Sequence, residues 1–516
     1  MRNRRFVTAL LTACLLASLV AGCGGGITGV KSGRFERPIV LLINGESAPT
    51  RQYAQVMQNS LRQAGIPVEI ETVDQGTLID RQRKGQYQLT TNRWVGGNQD
   101  PIFLKNLFGT GANFNRWNYS NPQLDQILNQ AVETADREQG RALYVQAQDI
   151  ISRELPSLPL WYTDQMVIAR RNVGNIQVDM SGDWSFMARL TSEGKTGPFV
   201  VTLESPPPSF EQLKETEGAA ERMRQLMFNS LVKKNERFDY VGDLASEIRR
   251  AEDGLSYTFT LREGVKFHDG RPLTSADAKY TLETLLASGF PKSGDFFEGT
   301  GESRQPLITA METPDARTLV VRLRRPWLNL LSNLVPIGII PQGSAGTQRQ
   351  QPVGSGPFKF VRYDESQQIV DLAAHDAYWG GAPPIKELRV RTVRDTNTLQ
   401  AELRSGGVDL AVVANLGADV YRALGQDPNL QVKQFPGANV VYLAYNTQDP
   451  ALKDARVRQA IAYAIDREGI VRDLLLGQAR VAHSILPQES WAYSPGQVYT
   501  FDIEKAKRAL DEAGVK

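Results

Sequence analysis

Apolar and polar positions along this chain change period several times, and each change marks an element. Ile39 to Ile43 is an apolar run of strand length, and Tyr53, Val56, Met57, Ser60 and Leu61 follow at helical spacing. Gly65 is placed to stop that helix. Pro67 to Val73 then alternates as a half-buried strand does, and Leu124, Ile127, Leu128, Ala131 and Val132 mark a further amphipathic helix. Strands alternating with helices predict an α/β fold with parallel pairing. In the second half, Tyr257 to Leu261 and Val265 to Phe267 flank Arg262-Glu263-Gly264, which predicts a hairpin. Thr274 and Asp277 have capping-box spacing ahead of the apolar face Ala278, Leu282, Leu285 and Leu286. Asp454 is placed to cap a helix whose stripe is Val457, Ala460, Ile461, Ala464 and Ile465.

The first segment follows different rules. Arg2, Arg4 and Arg5 precede the apolar run Phe6 to Ala21, the form of an export signal over residues 1–22, and the run is short for a membrane-spanning helix. It closes in Leu19-Val20-Ala21-Gly22-Cys23, which resembles a bacterial lipobox with a lipidated Cys23. Cys14 leaves with the signal, so Cys23 keeps no disulfide partner. Since one acyl chain binds marginally, stable tethering calls for the several chains of a bacterial lipoprotein. Residues 23–37 read as the lipidated cysteine and a flexible leash. Gly24, Gly26 and Gly29 there have dinucleotide-loop spacing, but no strand precedes them and the match is discarded.

A length of 516 residues exceeds what one core supports, so at least two lobes with a cleft between them are expected. The net charge of +2, with lysine and arginine scattered along the chain, argues against a nucleic-acid partner.

Leu261-Arg262-Glu263-Gly264-Val265-Lys266-Phe267-His268-Asp269-Gly270, followed by Leu273-Thr274-Ser275-Ala276-Asp277, resembles the signature of the peptide/nickel-type family (family 5) of extracytoplasmic solute-binding proteins of ABC importers. Further matches follow in family order at Pro352 to Phe358, Tyr378 to Gly381, Ser405 to Asp409, Tyr445-Asn446-Thr447 and Val457 to Ile461. The family's closing third resembles Pro38 to Phe186, including Tyr119-Ser120-Asn121-Pro122 and Pro156 to Trp161, and its opening strand resembles Phe199 to Pro207. Pieces of the family's end therefore precede pieces of its front, each occurring once, which fits circular permutation or a rearranged gene, with the join at Gly194 to Pro198. The resemblance implies a two-lobed periplasmic-binding-protein-like clamp (type II, cluster C-like), with mixed sheets flanked by helices. One lobe combines residues 34–173 with 440–516, and the other spans 174–439.

By the same resemblance, peptide-binding relatives place an aspartate three residues after the loop tryptophan to hold the ligand's ammonium group. Trp94 is followed at that distance by Gly97. Asp100 can approach an ammonium group if the loop is rearranged, or brace the turn before Pro101. Asn98 can bond a neutral solute or its own loop, and Trp94 can stack on a ligand or pack in the core. Asn446 is placed near the hinge, to bond a ligand backbone or to cap a strand, and Glu204 leaves the opening strand toward cleft or solvent.

His268, His375 and His483 share no ligand spacing, so no metal site is expected, and His268 is read as stabilising its turn. No nucleophile elbow, metalloprotease helix or phosphate-binding lysine loop occurs, and no cofactor or catalytic residue is assigned. The expectation is a monomeric, lipid-anchored receptor outside the cytoplasm that captures a peptide or another small polar solute for an ABC permease in the inner membrane. A sensory or chaperone lipoprotein, and a hydrolase built on scattered carboxylates, are the competing classes.

Overall fold

A computed structural model describes residues 35 and 37–515, except 96–99, 113, 135, 300–302, 414 and 415. The expected signal and Cys23 lie outside the described residues, as do Gly97 and Asn98.

The apolar run after Pro38 forms strand β1 (Ile39–Asn44), and the next periodic segment forms helix α1 (Ala48–Gln63). Ser47 caps α1 by accepting from the Thr50 amide at 3.3 Å, and Gly65 takes up φ +81° just past its end. Tyr53, Met57 and Leu61 are buried as the spacing predicts, whereas Val56 faces solvent. Strands β2 (Val68–Val73) and β3 (Leu89–Trp94) pair with β1 in parallel, through Ile39 opposite Val68 and Leu41 opposite Leu89.

The second parallel group contains β5 (Phe199–Leu203), β8 (Glu387–Thr392) and β9 (Leu410–Val413), and is extended to the sheet edge by the antiparallel strands β6 (Phe358–Asp364) and β7 (Ile369–Ala374). Two long strands, β4 (Ser157–Arg170) and β10 (Leu430–Tyr445), run antiparallel through both groups and give the order β6-β7-β8-β5-β9-β4-β10-β3-β1-β2. A short strand β11 (Ala479–Val481) pairs with β4.

The change of core along these strands locates the lobes. Leu158, Leu160 and Trp161 pack with Leu41 and Ile43, whereas Met166 and Ile168 pack with Leu399 and Leu403. The first crossing therefore falls at Thr163 to Gln165, earlier in β4 than a boundary at 173. The strand continues into the second lobe before the chain turns, which pattern alone did not reveal. On β10 the pairing with β4 breaks between Phe435 and Asn439, and this break is the second crossing.

The hairpin expected around Gly264 does not form. Ser256–Leu261 pairs with Ala245–Arg250 and Thr318–Leu323 in a separate four-stranded sheet, so both of its edges are occupied. Residues 265–272 instead fold on themselves, with the Phe267 amide bonded to the Arg271 carbonyl. The capping box at Thr274 and Asp277 is present, as is the Asp454 cap. At the expected join, Lys195 forms a 2.7 Å ion pair with Asp409. Phe35 and Val515 pack against one and the same core cluster.

Candidate functional site

Ligands of open α/β sheets gather at the carboxyl ends of parallel strands, where loops diverge and leave a crevice. Here the ends of β1 and β3 in one lobe meet the end of β9 in the other across the crossing strands. Between them lies a cavity of about 400 Å³, of small-molecule size, lined by Asn44, Arg93, Thr163, Asp164 and Tyr421 among others.

Arg93 is half-buried and forms no ion pair among the described residues. It lines the same cavity as Tyr53 of α1 and Tyr421 of the helix Ala418–Gly425, and its charge acts on both phenols. Burial pushes both phenols up, and Tyr53 shares hydroxyl contacts of 3.3 Å with Thr50 and with Thr91.

Asp164 sits in the crossing of β4. Its Oδ2 accepts from Gln434 Nε2 at 2.6 Å, while its Oδ1 is buried without a hydrogen-bond partner among the described residues. Burial raises its carboxyl above the usual range, opposed by the Gln434 bond, the nearby charge of Arg480 and the Gly437 backbone amide. Arg480 of β11 pairs with Glu489 at 2.9 Å and donates to the Gly437 carbonyl at 3.0 Å, inside the break of β10. Three polar residues, Thr163, Asp164 and Gln165, interrupt the apolar run of β4, and that interruption was the sequence signal for this position. Arg93 carried none beyond its place next to Trp94.

The residues predicted from sequence are distributed differently. Trp94 stacks on Tyr442 at 5.4 Å, meets Phe103 edge-on at 5.3 Å and carries the Arg116 guanidinium 5.0 Å from its ring centre. It packs as a core residue, yet its buried Nε1 has no acceptor among the described residues. Asp100 braces its turn by accepting from the Ile102 amide at 2.9 Å, and it also accepts from the Tyr240 hydroxyl, which belongs to the other lobe. Arg137 and Asp239 form a second contact between lobes nearby. Neither contact was legible in the sequence, since partners more than a hundred positions apart leave no local pattern.

Asn446 donates to the carbonyls of Gly85 at 3.1 Å and Tyr87 at 3.0 Å, and accepts from the Asn118 amide group at 3.1 Å and the Gln448 amide at 3.2 Å. Its amide group is thus committed to the strand end. Glu204 is exposed where the chain leaves β5, and its charge reaches both Tyr421 and Arg222.

His268 and His375, remote in sequence, meet edge to face with ring centres 5.1 Å apart, and both bond the Gly356 carbonyl at 3.1 Å. Burial lowers His268 to about 3 and also lowers His375, so both act as neutral donors that hold a turn. Among the described residues no group of three or more His, Cys, Asp or Glu is arranged to hold a metal.

Comparison with known proteins agrees with this architecture. The chain is 31% identical to heme-binding protein A of Haemophilus influenzae over 61% of its own length and 62% of that protein's. It is 30% identical to the oligopeptide-binding protein AppA of Bacillus subtilis over 62% and 60%, and 31% identical to the dipeptide-binding protein of Escherichia coli over 56% and 58%. The chain thus spans about three-fifths of the length of these relatives. Among solved structures, the ABC transporter substrate-binding protein CtaP of Listeria monocytogenes superposes with a TM-score of 0.52 at 23% identity, over 62% of this chain and 65% of that one. NikA of Brucella suis, solved with Fe(III)-EDTA, gives 0.51 at 21% identity, over 62% and 64%. The profile of the bacterial extracellular solute-binding proteins, family 5 Middle, matches residues 21–116 and 239–516, and with the two-lobed sheet and its cleft this places the chain in that family.

Proposed function

We propose that this protein is an extracytoplasmic solute-binding lipoprotein that captures a peptide or another small polar solute between its lobes and delivers it to an ABC-type importer. One observation carries the reading: a cavity at the strand ends is walled by both lobes, which two long strands join. Such a hinge lets binding energy accrue on closure while water is excluded. The names of the relatives, binding proteins for oligopeptide, dipeptide and heme, support capture as the role. Capture alone breaks no bond, and no catalytic step is invoked. Cys23 supplies the lipid attachment, and the receptor works as a monomer. Among the described residues no helix is long and apolar enough to cross a membrane.

The segment order also belongs to this proposal. A collinear comparison can follow only one of two rotated blocks, and residues 199–516, the larger block, are about three-fifths of the chain, the share that the relatives cover. Phe35 and Val515 packing on one core adds support, because rotation requires that the family's internal connection pass there. A gene restored to family order, starting at Phe199, with residues 34–193 joined after 515, is expected to yield a protein of unchanged stability. A restored protein that fails to fold would remove the rotation.

The reading itself is tested by purifying the chain from Cys23 onward, identifying the solute it carries by mass spectrometry and titrating that solute by calorimetry. Peptides with free amino ends, bound one per chain, are expected. Recovery of sugars or blocked peptides would make Gly97 the mark of another substrate class and end the peptide reading.

A further inference from the structure

One hairpin carries two contacts from the lobe of the second parallel group to the other lobe. Its strands, Val232–Lys234 and Tyr240–Gly242, pair antiparallel with Lys234 opposite Tyr240, and Val232 anchors it in the core of its own lobe. The turn between them is fixed by Asn235, whose backbone amide donates to the Asp239 carbonyl at 2.9 Å and whose Oδ1 accepts from the amides of Arg237 and Asp239 at 2.9 Å. Two adjacent residues leave this rigid arm toward the other lobe. The Tyr240 hydroxyl donates to Asp100, a carboxylate 8% exposed that the Ile102 amide already orients, and Asp239 pairs with Arg137. Arg137 opens the helix Arg137–Glu154 and lies 5.0 Å from the Trp491 ring centre, so it too is held in place before the arm arrives. Lys234 stands 6.0 Å from the Tyr240 ring centre, and the charge of Asp100 acts on its ammonium. Signs therefore alternate across the gap, acid to base and base to acid, which fixes how the lobes meet. None of these side chains lines the cavity between the strand ends.

We propose that this hairpin is a latch, holding the lobes together in the chain without a solute through Tyr240 on Asp100 and Asp239 on Arg137, so that any solute enters during transient opening. The latch goes beyond capture itself and rests on the reading of the two lobes as a clamp. Rotation about Thr163 to Gln165 and the break in β10 has to withdraw the arm, part both contacts and return the Asp100 carboxylate to water. The hydrogen bond is the stronger restraint, since its carboxylate acceptor is buried, whereas the ion pair is partly exposed. Because the latch is present in the empty and the loaded closed forms alike, it sets how fast solutes enter and leave and not which solute is preferred.

Small-angle scattering of the chain from Cys23 onward, unfolded in guanidinium and refolded by dialysis to strip any carried solute, tests this. The wild type is expected to match the closed structure with no solute added, and the combined Tyr240→Phe and Arg137→Gln variant to show a larger radius of gyration. Stopped-flow tryptophan fluorescence with trialanine supplies a second readout. Tyr240→Phe alone should raise the open fraction about ten-fold or more, and the association and dissociation rates by the same factor, with the affinity unchanged. Arg249→Gln is the control, since it removes an exposed ion pair with Glu247 inside one lobe, and it should change neither measurement. Tyr240→Phe keeps the ring and its packing, and Arg137→Gln alone is an independent variant should the other fail to fold. A stripped wild type that is already expanded, or variants with unchanged scattering and unchanged rates, would overturn the latch. Compaction of that expanded wild type by trialanine would leave capture standing. A closed wild type that takes up no trialanine would keep the latch and count against peptide capture.

Discussion

Gly437 is the position where a single methyl group should disturb both stability and the hinge. It lies in the break between Phe435 and Asn439, where β10 passes from one lobe to the other. A Cβ built there would lie 2.1 Å from the carbonyl oxygen of Thr163 and 3.3 Å from the carbonyl carbon of Asp164. Both neighbours are backbone of the partner crossing strand, so no side chain can rotate aside, and the strands must part by about 1 Å to reach ordinary contact. Parting them stretches the Arg480 bond to the Gly437 carbonyl, now 3.0 Å, and the Thr163 hydroxyl contact with the Asn439 carbonyl at 3.4 Å. Overpacking of this kind costs about 1–3 kcal/mol, and a weakened hydrogen bond adds about 1 kcal/mol. Gly437→Ala should therefore lose about 2–4 kcal/mol in denaturant titration, and small-angle scattering should show a larger radius of gyration as the lobes splay. Gly346→Ala is the control, since a Cβ there meets nothing within 4 Å, and it should change stability by less than about 0.5 kcal/mol. A Gly437→Ala protein indistinguishable from this control in both measurements would refute the reasoning.

Two further predictions concern buried basic side chains that the cleft does not use. Arg458, 4% exposed, donates to the carbonyls of Glu154, Leu155, Leu452 and Lys453 without an ion-pair partner among the described residues. Arg458→Met fills the volume but orphans those carbonyls, and a loss of about 3–5 kcal/mol is expected in denaturant titration, with a loss below about 1 kcal/mol counting against this account. His268 is depressed to about 3 by burial, below the value near 6.5 of an unfolded chain. Its contribution to stability is therefore complete above pH 6.5 and declines as pH falls toward 3, because the unfolded chain takes up a proton that the folded chain refuses. His268→Gln keeps a donor for the Gly356 carbonyl and should flatten the stability curve by up to about 1.4 kcal/mol per pH unit in that window. Parallel curves for variant and wild type would show that another group sets the slope.

Local pattern determined a good deal of this protein. Apolar runs and their periods gave β1, β2 and α1, spacing gave the caps at Thr274 and Asp454, and contiguous motifs such as Leu261 to Asp277 carried the family resemblance, because each of these depends on residues a few positions apart. Tertiary structure decided what depends on distant partners. The strand Ser256–Leu261 reads as one arm of a hairpin until Ala245–Arg250 and Thr318–Leu323 are seen to occupy both its edges. Asp100 reads as a turn residue until the Tyr240 hydroxyl arrives from the other lobe. Asn446 reads equally well as ligand contact and strand cap until Gly85, Tyr87 and Asn118 are found to claim its amide group. Asp164 was marked along the chain only by a polar break in an apolar run, and its place in the cleft beside Arg93 became visible once the strands were assembled. An open bonding site is defined by what fails to reach it, and that is a property of packing rather than of neighbours along the chain.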